Sequence, residues 1–192
     1  MFLEGRMGYS VFLEEGKVMP ADINNAFDVS IFFDDMATQE GAYLQPQKLQ
    51  RLLFLAQAYY VVAFDRKLMP AVFVADELGP LEPNVYLAFS KGRPDIDADL
   101  FLPYEVQSFL ENIWQRFGDY SIERLNEITN ETSAYKVAFE RANRAEIKLS
   151  EMKKSFKRAE KSPGVDQVIK PKIMRTQTGR AVHVQSWTPR KV

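Results

Sequence analysis

Residues 46 to 64 read PQKLQRLLFLAQAYYVVAF, and residues 77 to 89, a short way on, read ELGPLEPNVYLAF. In the first stretch Leu49, Leu52, Leu53, Leu55, Ala56, Tyr59, Tyr60, Val62 and Phe64 recur at helical spacing but cover almost the whole circumference. A helix apolar all round is buried, so other segments must pack about it. Pro46 suits the first turn of that helix, and the charged patch Asp65, Arg66, Lys67 closes it. In the second stretch Gly79-Pro80 forbids a regular helix, and Pro83 opens a short one carrying Val85, Tyr86, Leu87 and Phe89. The pair predicts a central buried helix, a connector with one sharp corner, and a second helix.

Outward from this centre the chain is mainly helical by pattern. Asp22 or Asn24 is expected to cap a helix running to about Glu40, ended by Gly41. Met1 to Pro20, with three glycines, reads as a hairpin or loose arm. Ala71 to Ala75 has no decisive period and is read as a short helix. Pro103 begins an amphipathic helix with a Val106, Phe109, Leu110, Ile113, Trp114, Phe117 stripe, stopped by Gly118. Ser121 caps a short helix with Ile122, Leu125 and Ile128, and Thr132 or Ser133 caps the next. That last helix starts with Tyr135, Val137 and Phe139 and then turns polar, with Ile147, Leu149, Met152 and Phe156 thinly spaced. It is expected to project from Arg144 on. Ser162-Pro163-Gly164 breaks it, and Thr178-Gly179 is the turn of a weak hairpin with Ala181 to Val184 as second arm. Such a hairpin is marginal alone, so disorder is expected until it meets a surface.

Read as a set of motifs, the two opening stretches resemble the Panacea domain, a bacterial and phage family. Its hallmark is a lysine-leucine-glutamine-lysine-leucine-leucine helix with alanine-glutamine a turn later, a tyrosine-glycine-proline turn, and a proline-x-x-tyrosine helix. Here those positions are Lys48, Leu49, Gln50, Arg51, Leu52, Leu53, then Ala56 and Gln57, then Leu78, Gly79, Pro80, then Pro83 and Tyr86. A downstream element corresponds to Ile128, Thr129, Asn130 and Tyr135, with Leu78, Asn130 and Tyr135 standing where the family has an aromatic, a histidine and a tryptophan. The resemblance covers roughly residues 24 to 142. It implies a non-enzymatic antitoxin that neutralises a cognate protein toxin by direct binding. Alternatives are a protease adaptor delivering the toxin to a cytoplasmic protease, a DNA-binding regulator, and a phage accessory protein. The organisation expected is an N-terminal arm (1–20), a Panacea-like helical domain (21–142), and a basic helix and tail (143–192).

Composition narrows the chemistry. The 192 residues include no cysteine, which excludes disulfides, thiolate nucleophiles and cysteine-ligated zinc, and suits a reducing cytoplasm. The longest apolar run, Leu52 to Phe64, is too short to span a bilayer, and Met1 to Lys17 shows no secretory signal. The only histidine, His183, lies in the tail, so a serine-histidine-aspartate site and histidine-based metal sites are not expected, and no phosphate-cradling glycine loop occurs. No cofactor or metal is expected. Asp95, Asp97 and Asp99 alternate as in a calcium loop but lack its glycine and twelfth-position glutamate; they read as a solvated loop. Adjacent acids at Asp34-Asp35, Asp76-Glu77 and Glu14-Glu15 could act as catalytic pairs, but adjacent acids are usually solvated surface and are read so here.

Charge is unevenly placed although the net is −1: 14 of the 25 Lys and Arg, but only 4 of the 26 Asp and Glu, lie from Arg141 onward. Either the basic tail lies on the acidic body or it reaches an acidic partner; nucleic acid is a weaker candidate, because the body would repel a polyanion. Gln50, Gln57, Tyr59 and Tyr60 should find partners on a buried helix. They either fix the chain around Gly79-Pro80 or floor a groove that receives a peptide. Candidate partner contacts are therefore Gln50, Gln57, Tyr60, Glu77 and Tyr86 at the groove, and Arg144, Lys148, Phe156, Arg175, Arg180 and Trp187 on the arm, with Trp187 as the single anchor.

Overall fold

Every residue from Leu49 to Val61 is buried in the computed structural model, which describes residues 20–96, 102–158 and 162–169 with the backbone of 173–175 and 181–183. These residues belong to α2 (Pro46–Phe64), which Pro46 starts at its first turn and Asp65 ends in a left-handed conformation. Among the described residues, six further helices surround or flank it: α1 (Ala26–Gln39), α3 (Pro83–Phe89), α4 (Tyr104–Phe117), α5 (Ile122–Asn130), α6 (Ser133–Arg141) and α7 (Leu149–Lys157). A short α8 (Val165–Ile169) comes after them. The architecture is mainly α, built on a central buried helix as the sequence pattern requires.

Local chemistry accounts for most boundaries. The Ser121 and Thr132 hydroxyls accept from the N–H groups of Arg124 and Tyr135, so each caps its helix as expected. The cap of α1 is Asn25, whose carboxamide accepts from Phe27 N–H at 2.7 Å, rather than Asp22 or Asn24. Asp22 is drawn elsewhere, to Tyr60 and Arg66.

Two expectations are corrected. Residues 71–75 do not form a helix: Val74–Asp76 is β1, paired antiparallel with β2 (Gly79–Leu81) in a tight hairpin. The run from Ser133 to Phe156 is also not one projecting helix. It leaves the helix after α6, passes through Arg144 at φ 55°, and lays residues 145–147 along the other edge of β1. Ala75 N–H donates to Ala145 O at 2.9 Å and Ile147 N–H to Phe73 O at 2.7 Å. The free edge of a two-stranded hairpin carries unpaired backbone groups, and this segment satisfies them.

From there α7 returns to the body and packs on α2. Met152 and Phe156 are buried, and the Phe156 ring meets Phe54 and Tyr59 edge-on, with centroids 5.9 and 5.2 Å apart. Three apolar residues, Leu149, Met152 and Phe156, suffice for one narrow stripe, while the polar face pairs with the body through Lys153–Asp65 and Arg141–Glu151. The chain beyond it is tied in as well, since Tyr59 O–H donates to Pro163 O at 2.8 Å and Val168 joins the core. The described part of the basic segment thus meets an acid of the body at Lys153 and Asp65. β3 (Ile173–Arg175) pairs antiparallel with β4 (Ala181–His183), as expected for two arms of a hairpin; the expected turn, Thr178-Gly179, lies outside the described residues.

Phe156→Ala is expected to lower stability by about 3–5 kcal/mol, as for a large aromatic removed from a core. Urea unfolding measures it; a change within about 0.5 kcal/mol, typical of an exposed position, would mean that α7 does not pack as described.

Candidate functional site

The α2 surface facing the β1–β2 hairpin carries one residue that does not belong in an apolar helix. Arg51 is 2 % exposed, and no carboxylate among the described residues lies within ion-pair distance of it. Its partners are neutral oxygens: Nε donates to Asn126 Oδ1 at 2.7 Å and a terminal nitrogen to Pro80 O at 2.8 Å. Removal from water pulls the guanidinium down to about 10, opposed by the nearby Tyr135 phenol and Asp76 carboxylate. Arg51 therefore remains a cation at neutral pH.

The corner of the hairpin is shaped around that cation. Gly79 has φ +115°, and a Cβ there would lie 2.5 Å from an Arg51 terminal nitrogen and 2.5 Å from Asn130 Oδ1. Only glycine fits both the dihedral and the space. Neighbouring groups lock the rest. Gln50 Oε1 accepts from Glu82 N–H at 2.8 Å, and the Glu82 carboxylate caps α3 by accepting from Val85 N–H at 2.7 Å. Tyr135 O–H donates to Asp76 O at 2.6 Å, and Thr129 Oγ1 bonds Asn130 Oδ1 at 3.1 Å. Residues of α2, the hairpin, α3, α5 and α6, far apart in sequence, converge here.

Between them lies a cavity of about 100 Å³ lined by Gln47, Gln50, Arg51, Asp76, Leu78, Leu81, Tyr86 and Arg144. Arg144 reaches over from the segment after α6 and donates from Nε to Asp76 Oδ2 at 2.8 Å. Leu78, at the hairpin tip, is 52 % exposed beside it. Gln50 is fully buried, and its Nε2 has no hydrogen-bond partner among the described residues. A buried amide N–H₂ without an acceptor is uncommon and calls for one.

Of the residues singled out in the sequence, Gln50, Tyr86 and Arg144 come together at this cavity, and Glu77 sits exposed in the adjoining turn. Gln57 and Tyr60 do not join them. Gln57 Oε1 accepts from Met69 N–H at 3.2 Å, and Tyr60 O–H donates to Asp22 while its ring packs on Phe109, so both hold other parts of the core. Burial pushes the Tyr60 phenol well above its ordinary range, and the Asp22 bond adds to this. Phe156 is core and not contact surface. Lys148 is exposed just before α7, where its backbone N–H donates to Glu151. Arg180 and Trp187 lie outside the described residues, as does the side chain of Arg175.

Sequence patterns missed Arg51 as a site residue, and Asn126 and Asp76 as its surroundings. The available signal was the charge itself, since a cation inside an all-round apolar stretch must be buried with donors to satisfy. Of the paired acids, Asp34 and Asp35 both bind Arg93 and Asp76 binds Arg144, while Glu14 and Glu15 lie outside the described residues. Among the described residues no group of three metal-ligating side chains occurs and no helix is long and apolar enough to cross a membrane. Asp97 and Asp99 lie outside those residues. No model of a known protein family matches the chain, and comparisons with curated proteins and with solved structures give no match.

Gly79→Ala is expected to destabilise the protein by about 2–3 kcal/mol, through dihedral strain and contact with Arg51 together. Gly41→Ala, also at positive φ but with nothing within 4 Å, should lose only about 1–2 kcal/mol. Equal losses in denaturant unfolding would remove the Arg51 contact from the explanation.

Proposed function

We propose that the protein is an antitoxin, a non-enzymatic protein that neutralises a cognate protein toxin by gripping it at the face formed by the hairpin tip, α3 and the Arg51 cavity. The observation that carries this is the cavity itself. Sites for metabolites and cofactors enclose about 300–1,000 Å³, and about 100 Å³ holds only the tip of a side chain. Yet Gln50, one of the cavity's lining residues, carries a buried donor without an acceptor, and the exposed Leu78 lines it as well. A small polar socket with an apolar rim suits an anchor residue of another polypeptide better than a substrate. The resemblance of the motif set to the Panacea family supplies the class of partner, a toxin.

Ion pairs within the molecule weigh against the alternative of nucleic acid. Arg141, Arg144 and Lys153 are matched to Glu151, Asp76 and Asp65, so the ordered basic residues are partly neutralised where they stand. Delivery of the captured toxin to a cytoplasmic protease would use the same grip and adds no requirement at this face.

Expression of the adjacent reading frame alone should arrest growth, and co-expression of this protein should restore it. Leu78→Asp, at an exposed tip, should keep the helical circular dichroism and weaken the purified complex at least tenfold, roughly 1.4 kcal/mol. Growth unaffected by the adjacent product, or full rescue by the Leu78→Asp protein with unchanged affinity, would refute the proposal.

A further inference from the structure

We infer that the cavity beside Arg51 is a carboxylate socket, filled by an acidic side chain or chain terminus of the bound partner. The choice of a carboxylate follows from charge, hydrogen bonding and size. Buried charges are paired in folded proteins, because an unpaired one is costly to remove from water. Among the described residues Arg51 has only two neutral oxygens, from Asn126 and Pro80, as its hydrogen-bond partners. The nearest acid on the cavity wall, Asp76, is held by Arg144. Glu82 lies beside Leu81 in sequence, but its carboxylate is committed to Val85 N–H and the Asn84 amide. The lining therefore has two guanidinium groups against one carboxylate.

The Gln50 amide adds a directed donor. Its Oε1 is fixed by Glu82 N–H, so Nε2 cannot turn away to seek another acceptor without breaking that bond. An incoming carboxylate oxygen would accept from Nε2 and face the Arg51 charge at the same time, which two neutral acceptors could do only in part. A water molecule needs about 10–15 Å³ of cavity space, so the cavity of about 100 Å³ has room for several. That accommodates a carboxylate with its adjoining methylene. Arg144, whose side chain is exposed just ahead of the residues that pair with β1, is placed to exchange Asp76 for the newcomer.

The socket's occupant rests on the partner-binding proposal, but its chemistry can be read on this chain alone. The Gln50 side-chain amide signals in ¹H–¹⁵N spectra, assigned by their loss in Gln50→Met, are followed as sodium acetate replaces sodium chloride at constant ionic strength. A saturable shift is expected with acetate, with acetamide at least tenfold weaker, and Arg144→Gln should weaken the acetate response several-fold. N-acetylaspartate amide and N-acetylglycine, compared in the same way, tell a side-chain carboxylate from a chain terminus. No saturable shift with acetate, an equal response to acetamide, or phosphate binding more tightly than acetate would overturn the inference; the last would point to a phosphorylated partner. Acetate binding without growth rescue would remove the toxin partner and leave the socket, whereas rescue without acetate binding would remove the socket and leave the antitoxin.

Discussion

A cation buried in the middle of the central helix has to be satisfied, and the way Arg51 is satisfied determines how two other elements, the hairpin and α5, sit. Its Nε holds Asn126 of α5, a terminal nitrogen holds the Pro80 carbonyl of β2, and its outer edge occupies the space that a side chain on residue 79 would need. Hydrogen bonds from a charged donor contribute about 1.5–3 kcal/mol each. Burying the guanidinium opposes folding by an amount of the same order, as its lowered proton affinity reflects. The net gain in stability is therefore small. What Arg51 supplies is position: it sets the register in which the hairpin and α5 meet α2, while the neighbouring Gln50 holds the cap of α3.

The hairpin in turn organises the chain beyond α6. β1 accepts β2 on one edge and residues 145–147 on the other, so three extended segments lie side by side, the third of them the connector from α6 to α7. This strip converts the polar stretch after α6 from a continuing helix into a connector, and it sets Arg144 over Asp76. It also turns α7 back onto α2, where Phe156 closes the core against Phe54 and Tyr59. The excess basic charge of the last quarter of the chain is in part matched by the protein's own acids, though exposed pairs of this kind contribute at most about 1 kcal/mol each.

How far this was legible depends on whether the signal was local. α2 announced itself because thirteen buried positions in a row leave no polar face, and α4 because its stripe is regular. Ser121 and Thr132 name their helices by cap chemistry acting over three residues. β1 was not legible, since five apolar residues fit a helix or a strand, and the choice is made by backbone partners at 145–147, about seventy residues on. α7 was misread because its apolar stripe is only three residues wide. At the site, Gln50, Tyr86 and Arg144 were found from motif and charge, but Asn126 was not, because nothing near it in sequence signals a partner on α2. Gln57 and Tyr60 show the converse: polar groups on a buried helix need partners, and sequence does not say which.

The proposed function rests on the same constraint. A buried cation matched by neutral oxygens, a carboxamide with one end fixed and the other unpartnered, and an exposed apolar hairpin tip are the features from which the grip on another polypeptide is proposed. All of it depends on the Arg51 guanidinium being locked in place. The most direct measurement is the hydrogen exchange of the Arg51 Nε proton by NMR, since that proton is donated to Asn126 across the α2–α5 contact. Slow exchange, comparable with core backbone amides and accelerated by Asn126→Ala, is the expected result. Exchange as fast as that of an exposed arginine would contradict the structure's organisation around Arg51.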